Sequence, residues 1–185
     1  MIGRIIREIG SIRQKKKQLL IAIDGRCASG KTTLAEKLKE RLSCNIIHMD
    51  DFFLRPEQRT AERYYEPGGN VDRERFAAEV LLPLKSGKAF SYRPFDCHTM
   101  KLSEPIMTEQ SEITIIEGTY SCHPALWNFY DLHIFLTVSP EEQFQRLAKR
   151  NKENLQVFRE KWIPLEERYF NAYKIDARCE LKFKT

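Results

Sequence analysis

Residues 18–34 read QLLIAIDGRCASGKTTL: an apolar run, a turn bounded by glycines, and the start of a helical pattern. Gly25, Gly30, Lys31 and Thr32 fit G-x-x-x-x-G-K-[ST]. In that pattern the glycines let backbone N–H groups curl around a phosphate, the lysine reaches the β and γ oxygens, and the hydroxyl binds Mg²⁺. A strand ending at Asp24 and a helix beginning near Lys31 aim a bound phosphate at a helix N-terminus, where the peptide dipoles favour an anion. Gly25, Ala28, Ser29, Gly30, Lys31, Thr32 and Thr33 are therefore the expected nucleotide-binding residues.

Outward from this loop the chain alternates between two periods. QLLIAID (18–24), CNIIHM (44–49), EITIIE (112–117), LHIFLTV (132–138) and CELKFK (179–184) read as strands. The first four are almost continuously apolar, as strands covered on both faces must be. Residues 31–42, 72–86, 140–150 and 157–173 carry apolar residues at helical spacing. Ile2, Ile5, Ile6, Ile9 and Ile12 do the same over about residues 2–16, and the face they form is expected to pack on the protein's own sheet rather than on a membrane.

Alternating strands and helices imply right-handed crossovers. The expected fold is an α/β, P-loop NTPase three-layer αβα sandwich with a mainly parallel five-stranded sheet, in one domain covering residues 1–185. Residues 55–70 are polar, hold Pro56, Pro67, Gly68 and Gly69, and read as a functional loop or a partly helical excursion.

Composition narrows the setting. Hydrophobic residues make up 42% of the chain and charged ones 31%, the balance of an ordinary globular protein. No apolar run is long enough to span a bilayer, and no apolar stretch follows Arg4 and Arg7 as in a signal peptide. Five cysteines, odd in number and without a Cys-x-x-Cys pair, point to reduced thiols and a cytoplasmic location. The net charge of +5 is modest, and Arg13, Lys15, Lys16 and Lys17 lack interleaved aromatic residues, so no nucleic-acid partner is expected. The oligomeric state stays open, a homo-oligomer included.

Three functional classes share the loop. A guanine-nucleotide switch needs N-K-x-D after a strand; the nearest match, Asn151 to Asn154, lacks the acid and follows a helical pattern. Motor and helicase ATPases tend to be larger and to assemble with an arginine from a neighbour, a feature that this sequence neither shows nor excludes. A small-molecule kinase needs only a carboxylate to activate the acceptor hydroxyl, a metal-holding acid, a pocket and a basic lid. Glu117, closing an apolar strand, stands where the metal-holding acid belongs. Arg146, Lys149 and Arg150 share one side of a helix in a basic stretch, about 143–162, which reads as a short lid or as a solvated face. In NIIHMDDFF (45–53), strand alternation sends Asp50 and Asp51 to opposite faces, so one of them is expected at the chemistry.

GRCASGKT, HMDDFF, GGNVDRERF, YRPFD and IIEGTYS, in this order and spacing, resemble the uridine kinase branch of the P-loop kinases, whose wider relatives include nicotinamide riboside kinase, pantothenate kinase and phosphoribulokinase. The resemblance implies ATP or GTP as donor, Mg²⁺, and a nucleoside-like acceptor. It implies Asp50 as the base near the acceptor hydroxyl and near the metal, with Thr32 and Glu117 completing the metal site. Asp51 falls at the variable position, and Phe52 and Phe53 wall the site. Asp72 implies a ribose ligand by its match to N-x-D, whereas from the residues alone it is a helix N-cap. Tyr65, Arg93 and Phe95 complete the implied acceptor site, Phe95 either stacking on a base or packing. The family's P-x-Y-D-F-x-x-H is altered here, His98 following Asp96 by two residues, and the family's R-G-R lid triplet is missing. His98 and His123 read as structural or surface residues. A pantothenate, nicotinamide riboside or sugar phosphate kinase, or a nucleotide-binding regulator without transfer activity, fits the same loop.

Overall fold

The computed structural model describes residues 1–150 and 152–185, without the side chain of Lys152. Its centre is a five-stranded sheet built from β1 (Leu19–Gly25), β2 (Asn45–His48), β7 (Ile113–Glu117), β8 (Leu132–Thr137) and β9 (Leu181–Lys184), in the order β2-β7-β1-β8-β9. Every pairing in it is parallel. The intervening β3 (Phe90–Tyr92), β4 (Phe95–Asp96), β5 (Lys101–Leu102) and β6 (Ile106–Thr108) form two small antiparallel pairs, β3 with β6 and β4 with β5, which the sequence pattern did not foresee. They are too short to show a period.

Alternation along the strands divides the core into two. Ile21 and Ile23 of β1, Ile115 of β7 and Ile134 of β8 pack under the N-terminal helix (Ile2–Arg13) and the helix after the phosphate loop (Lys31–Lys39). Ala22, Ile116 and Phe135 face the other way, onto Phe76, Val80, Tyr169 and Phe170 from two further helices. Ile5, Ile9, Leu34 and Leu38 are buried, so the helical stripes read from the sequence cover the sheet. The three-layer αβα sandwich is the result.

Both helices on the second face widen before a proline. The run from Arg73 to Ser86 includes a π-helical stretch at Ala77–Leu81 ahead of Pro83, and the run ending at Tyr173 includes one at Phe158–Trp162 ahead of Pro164. A proline has no N–H to give and its ring crowds the carbonyl four residues back, so a wider turn lets the helix continue. Residues 55–70 are partly helical, with a 3-10 turn at Pro56–Gln58 and a helix at Ala61–Tyr65. Arg63 ties this excursion down by donating to the carbonyls of Gly69 and Val71 and to Glu74. No helix among the described residues is long and apolar enough to cross a membrane.

Candidate active site

The parallel register brings the strand ends together. Ile23 of β1 lies beside Glu117 of β7, and His48 of β2 lies on Glu117's other side. The phosphate loop leaves β1 at Gly25, whose φ of 136° belongs to glycine and where a Cβ would sit 1.9 Å from the Leu136 carbonyl oxygen. The loop closes at Gly30, and Lys31 starts the helix. Lys31 Nζ donates to the carbonyls of Gly25 (2.8 Å) and Arg26 (2.9 Å), and to Thr119 Oγ1 (3.2 Å). Ser29 Oγ is buried without a hydrogen-bond partner, an arrangement that suits a loop made to receive an oxyanion.

Thr32 Oγ1 donates to Glu117 Oε1 at 3.1 Å, and the same oxygen lies 2.6 Å from His48 Nδ1. The Glu117 hydrogen bond holds the His48 imidazole above its ordinary pKa. Two hard oxygen donors side by side next to a phosphate loop fit Mg²⁺, which keeps several waters and takes one or two carboxylates plus phosphate oxygens. Among the described residues there is no cluster of three or more acidic, histidine or cysteine side chains arranged for a metal, so the two-donor arrangement is the one the site offers.

Strand alternation is not what separates Asp50 from Asp51, because β2 ends at His48 and both lie in a 3-10 turn, Met49–Phe52. The separation holds all the same. Asp50 opens into a cavity of about 930 Å³ that it shares with the phosphate loop and Glu117. Its side chain is exposed to that cavity, whose walls raise its pKa while Lys31 opposes the rise. Asp51 turns away to accept from the Tyr92 hydroxyl at 3.2 Å. Phe53 lines the cavity, whereas Phe52 lies in the core against Phe76 and Tyr92.

Arg146 and Arg150 also line this cavity. Arg146 donates to the Ala28 carbonyl (3.2 Å) and to Thr185 Oγ1 (3.0 Å), which joins the basic helix (Pro140–Arg150) to the loop and to the chain's last residue. Part of the basic stretch 143–162 and of the N-K-x-D near-match falls on Asn151, outside the described residues. Among those that follow, Asn154, Val157, Phe158 and Trp162 line the cavity, so its wall there is mostly apolar.

On the acceptor side the expected residues do not converge. Asp72 is buried as the N-cap of the helix starting at Arg73: it accepts from the Arg75 N–H (3.1 Å) and from Gln58 Nε2 (2.8 Å), and it does not line the cavity. Tyr65 is 80% exposed beside Arg168, while its neighbour Tyr64 lines the cavity. Arg93 donates to the Ser103 and Leu102 carbonyls on the protein surface. Phe95 is buried beneath the Arg59 guanidinium, 5.6 Å from its ring centroid, and Arg59 rather than Phe95 meets the cavity. Cys97, Met100 and Asn70 meet it too, Asn70 beside Tyr120. His98 is exposed, and His123 is a buried N-cap of Pro124–Trp127 whose pKa burial lowers to about 4.

Two buried acids escaped the sequence reading. Asp24 accepts from the N–H groups of Gly25 (2.6 Å), Tyr120 (3.2 Å) and Cys122 (2.9 Å) and from the Tyr169 hydroxyl (2.8 Å). It pins the turn after β7 to the first residue of the phosphate loop, and burial raises its pKa against those hydrogen bonds. The available signal was an acid ending an apolar strand one residue before the first glycine. Glu166 comes from the distant helix Ile163–Tyr173 and accepts from the Cys27 N–H at 2.9 Å, while Glu167 clamps Arg26 at 2.5 and 2.8 Å. No local pattern marks that pair.

Sheet order, loop and the Thr32–Glu117 pair together define a P-loop nucleotide-binding protein. A family model described as "AAA domain" matches residues 21–161. Mouse nicotinamide riboside kinase 2 is 30% identical over 141 residues, 72% of this chain and 68% of that protein. A uridine kinase of Limosilactobacillus reuteri is 28% identical over 118 residues, 58% of this chain and 53% of its own length. The solved structure of a possible uridine kinase from Bacillus stearothermophilus superposes with a TM-score of 0.76 at 22% identity, covering 98% of this chain and 96% of that one. The chain belongs to the AAA domain family and to the nicotinamide riboside kinase family, and it is similar to uridine kinases. It spans between 30% and 71% of the length of the curated relatives it matches.

Proposed function

We propose that this chain is a kinase that transfers the γ-phosphoryl group of ATP or GTP to a hydroxyl of a small, nucleoside-like acceptor. The observation that carries this reading is the shared cavity, which is lined by Lys31 and the phosphate loop, by Asp50 and Glu117, and by Arg59 and Tyr64 of the polar excursion. Its volume of about 930 Å³ is that of a site for a nucleotide with a small partner.

The loop N–H groups from Gly25 to Thr33 and Lys31 bind and orient the donor phosphates. Thr32 and Glu117, with Asp50 nearby, would hold Mg²⁺, which when bound offsets charge on the β- and γ-phosphates. Asp50 orients the acceptor hydroxyl and accepts its proton as the new bond forms. Arg146 and Arg150 balance charge that grows on the transferred group. Asn70, beside Tyr120 on the cavity wall, has an amide suited to an acceptor oxygen.

The likeness to mouse nicotinamide riboside kinase 2 favours a second acceptor, nicotinamide riboside, beside uridine and cytidine. Asp72, Tyr65, Arg93 and Phe95 reach either acceptor only if the loops bearing them rearrange. An ADP-release assay with Mg²⁺ and ATP against uridine, cytidine, nicotinamide riboside, pantothenate and sugar phosphates tests the reading. Turnover with one riboside supports it. ATP binding without turnover on any of them favours a regulator instead.

A further inference from the structure

Three carboxylates line the cavity, and the phosphoryl-transfer reading uses two of them, Asp50 and Glu117. The third, Glu166, is 5% exposed, and its Oε2 takes the Cys27 N–H of the phosphate loop at 2.9 Å. A backbone N–H in such a loop is the kind of donor that a phosphate oxygen uses. An internal anion thus sits on the surface that receives an external one. Around it stand Lys31 and Cys27 from the loop, Asp24 from β1 and Tyr120 from the turn after β7. Gln143 and Arg146 of the basic helix also bind this loop, and Glu167 beside it is committed to Arg26.

We propose that Glu166 couples nucleotide binding to the uptake of one proton: its carboxylate holds the Cys27 N–H, and as nucleotide phosphates enter, it takes a proton from solvent and remains beside them as a neutral acid. A buried carboxylate ionises less readily as negative charge approaches, and Lys31, the cation that now offsets it, is the group the phosphates engage. Burial already pushes Glu166 up to about 7, so the proton is available near neutral pH. A neutral carboxyl keeps its C=O as an acceptor for the Cys27 N–H and gains an O–H donor for a phosphate oxygen. The inference rests on the nucleotide-binding reading above.

Calorimetric titration of the full chain with MgADP, in buffers of different ionisation enthalpy, counts the protons. At pH 8 the ADP phosphates are already ionised, so net uptake reports on the protein. The expected result is about one proton taken up per site, with Kd weakening by about tenfold per pH unit above neutrality. E166Q, which preserves shape and the acceptor oxygen, is expected to take up none, to lose that pH slope, and to bind more tightly than the parent at pH 8. Equal proton counts and slopes in the two proteins overturn the inference. Should E166Q not fold, infrared difference spectra of the unaltered protein decide: a carboxylic acid C=O band must appear on binding at pH 8, and its absence overturns the inference. No MgADP binding at any pH would instead defeat the nucleotide reading beneath it.

Discussion

The two ends of the cavity are built differently. The phosphate end is made from strand termini and the loop between them, fixed by the sheet register: Ile23 against Glu117, and Glu117 against His48. The acceptor end is made from excursions. Arg59 and Tyr64 come from the polar segment 55–70, Cys97 and Met100 from the turn joining β4 to β5, and Trp162 from a π-helical stretch. A site set by register is rigid and shared among relatives, while one set by loops is free to vary and to select a substrate.

The sharpest way to break this contrast lies where the two ends meet. Asp50→Asn is expected to cost about 10² to 10⁴ in turnover while nucleotide binding survives, whereas Asp51→Asn stays within a few-fold of the parent. Equal losses, read as kcat for both variants, would erase the distinction between an acid in the cavity and one held by Tyr92. At the phosphate end, Glu117→Gln is expected to raise the Mg²⁺ concentration for half-maximal rate by roughly 10- to 100-fold, leaving KM for the acceptor unchanged. A titration with no shift would separate Glu117 from the metal.

Two smaller effects probe the acceptor wall. Asp72→Ala removes an N-cap and is expected to lower stability by about 1 kcal/mol in urea unfolding. A rise in acceptor KM larger than that loss explains would return Asp72 to the ribose. His123 packs under Gly68 of the excursion, and a Cβ on that glycine would lie 2.9 Å from its ring. Its folded pKa of about 4 is below the ordinary 6.5, so the stability held by neutral His123 is complete above pH 6.5 and drains away as pH falls toward 4. His123→Asn, which keeps a capping side chain, is expected to flatten the urea midpoint over that window.

The same contrast explains what could be read in advance. The five core strands, the covering helices, the loop, the Thr32–Glu117 pair and the partition of Asp50 from Asp51 were legible. Each rests on a local period or on the fixed offset between a strand and its parallel neighbour. Even there the partition has another cause than strand alternation, since a 3-10 turn separates the aspartates. The acceptor side followed the motif N-x-D and neighbouring aromatic residues, but Asp72 is turned inward by Arg75 and Gln58, and Tyr65 points to solvent. Contacts between loops distant in sequence decide those side chains, and no periodicity records them. Glu166 was illegible for the same reason, lying 139 residues from the Cys27 N–H it binds.

Phosphorus NMR of the protein with Mg²⁺, ATP and a riboside acceptor tests phosphoryl transfer most directly. The expected spectrum loses the ATP γ-phosphate signal and gains ADP and one phosphomonoester, in equal amounts and only when the acceptor is present. ATP that stays intact, or ADP that accumulates with inorganic phosphate and no ester, would contradict transfer to a small hydroxyl acceptor.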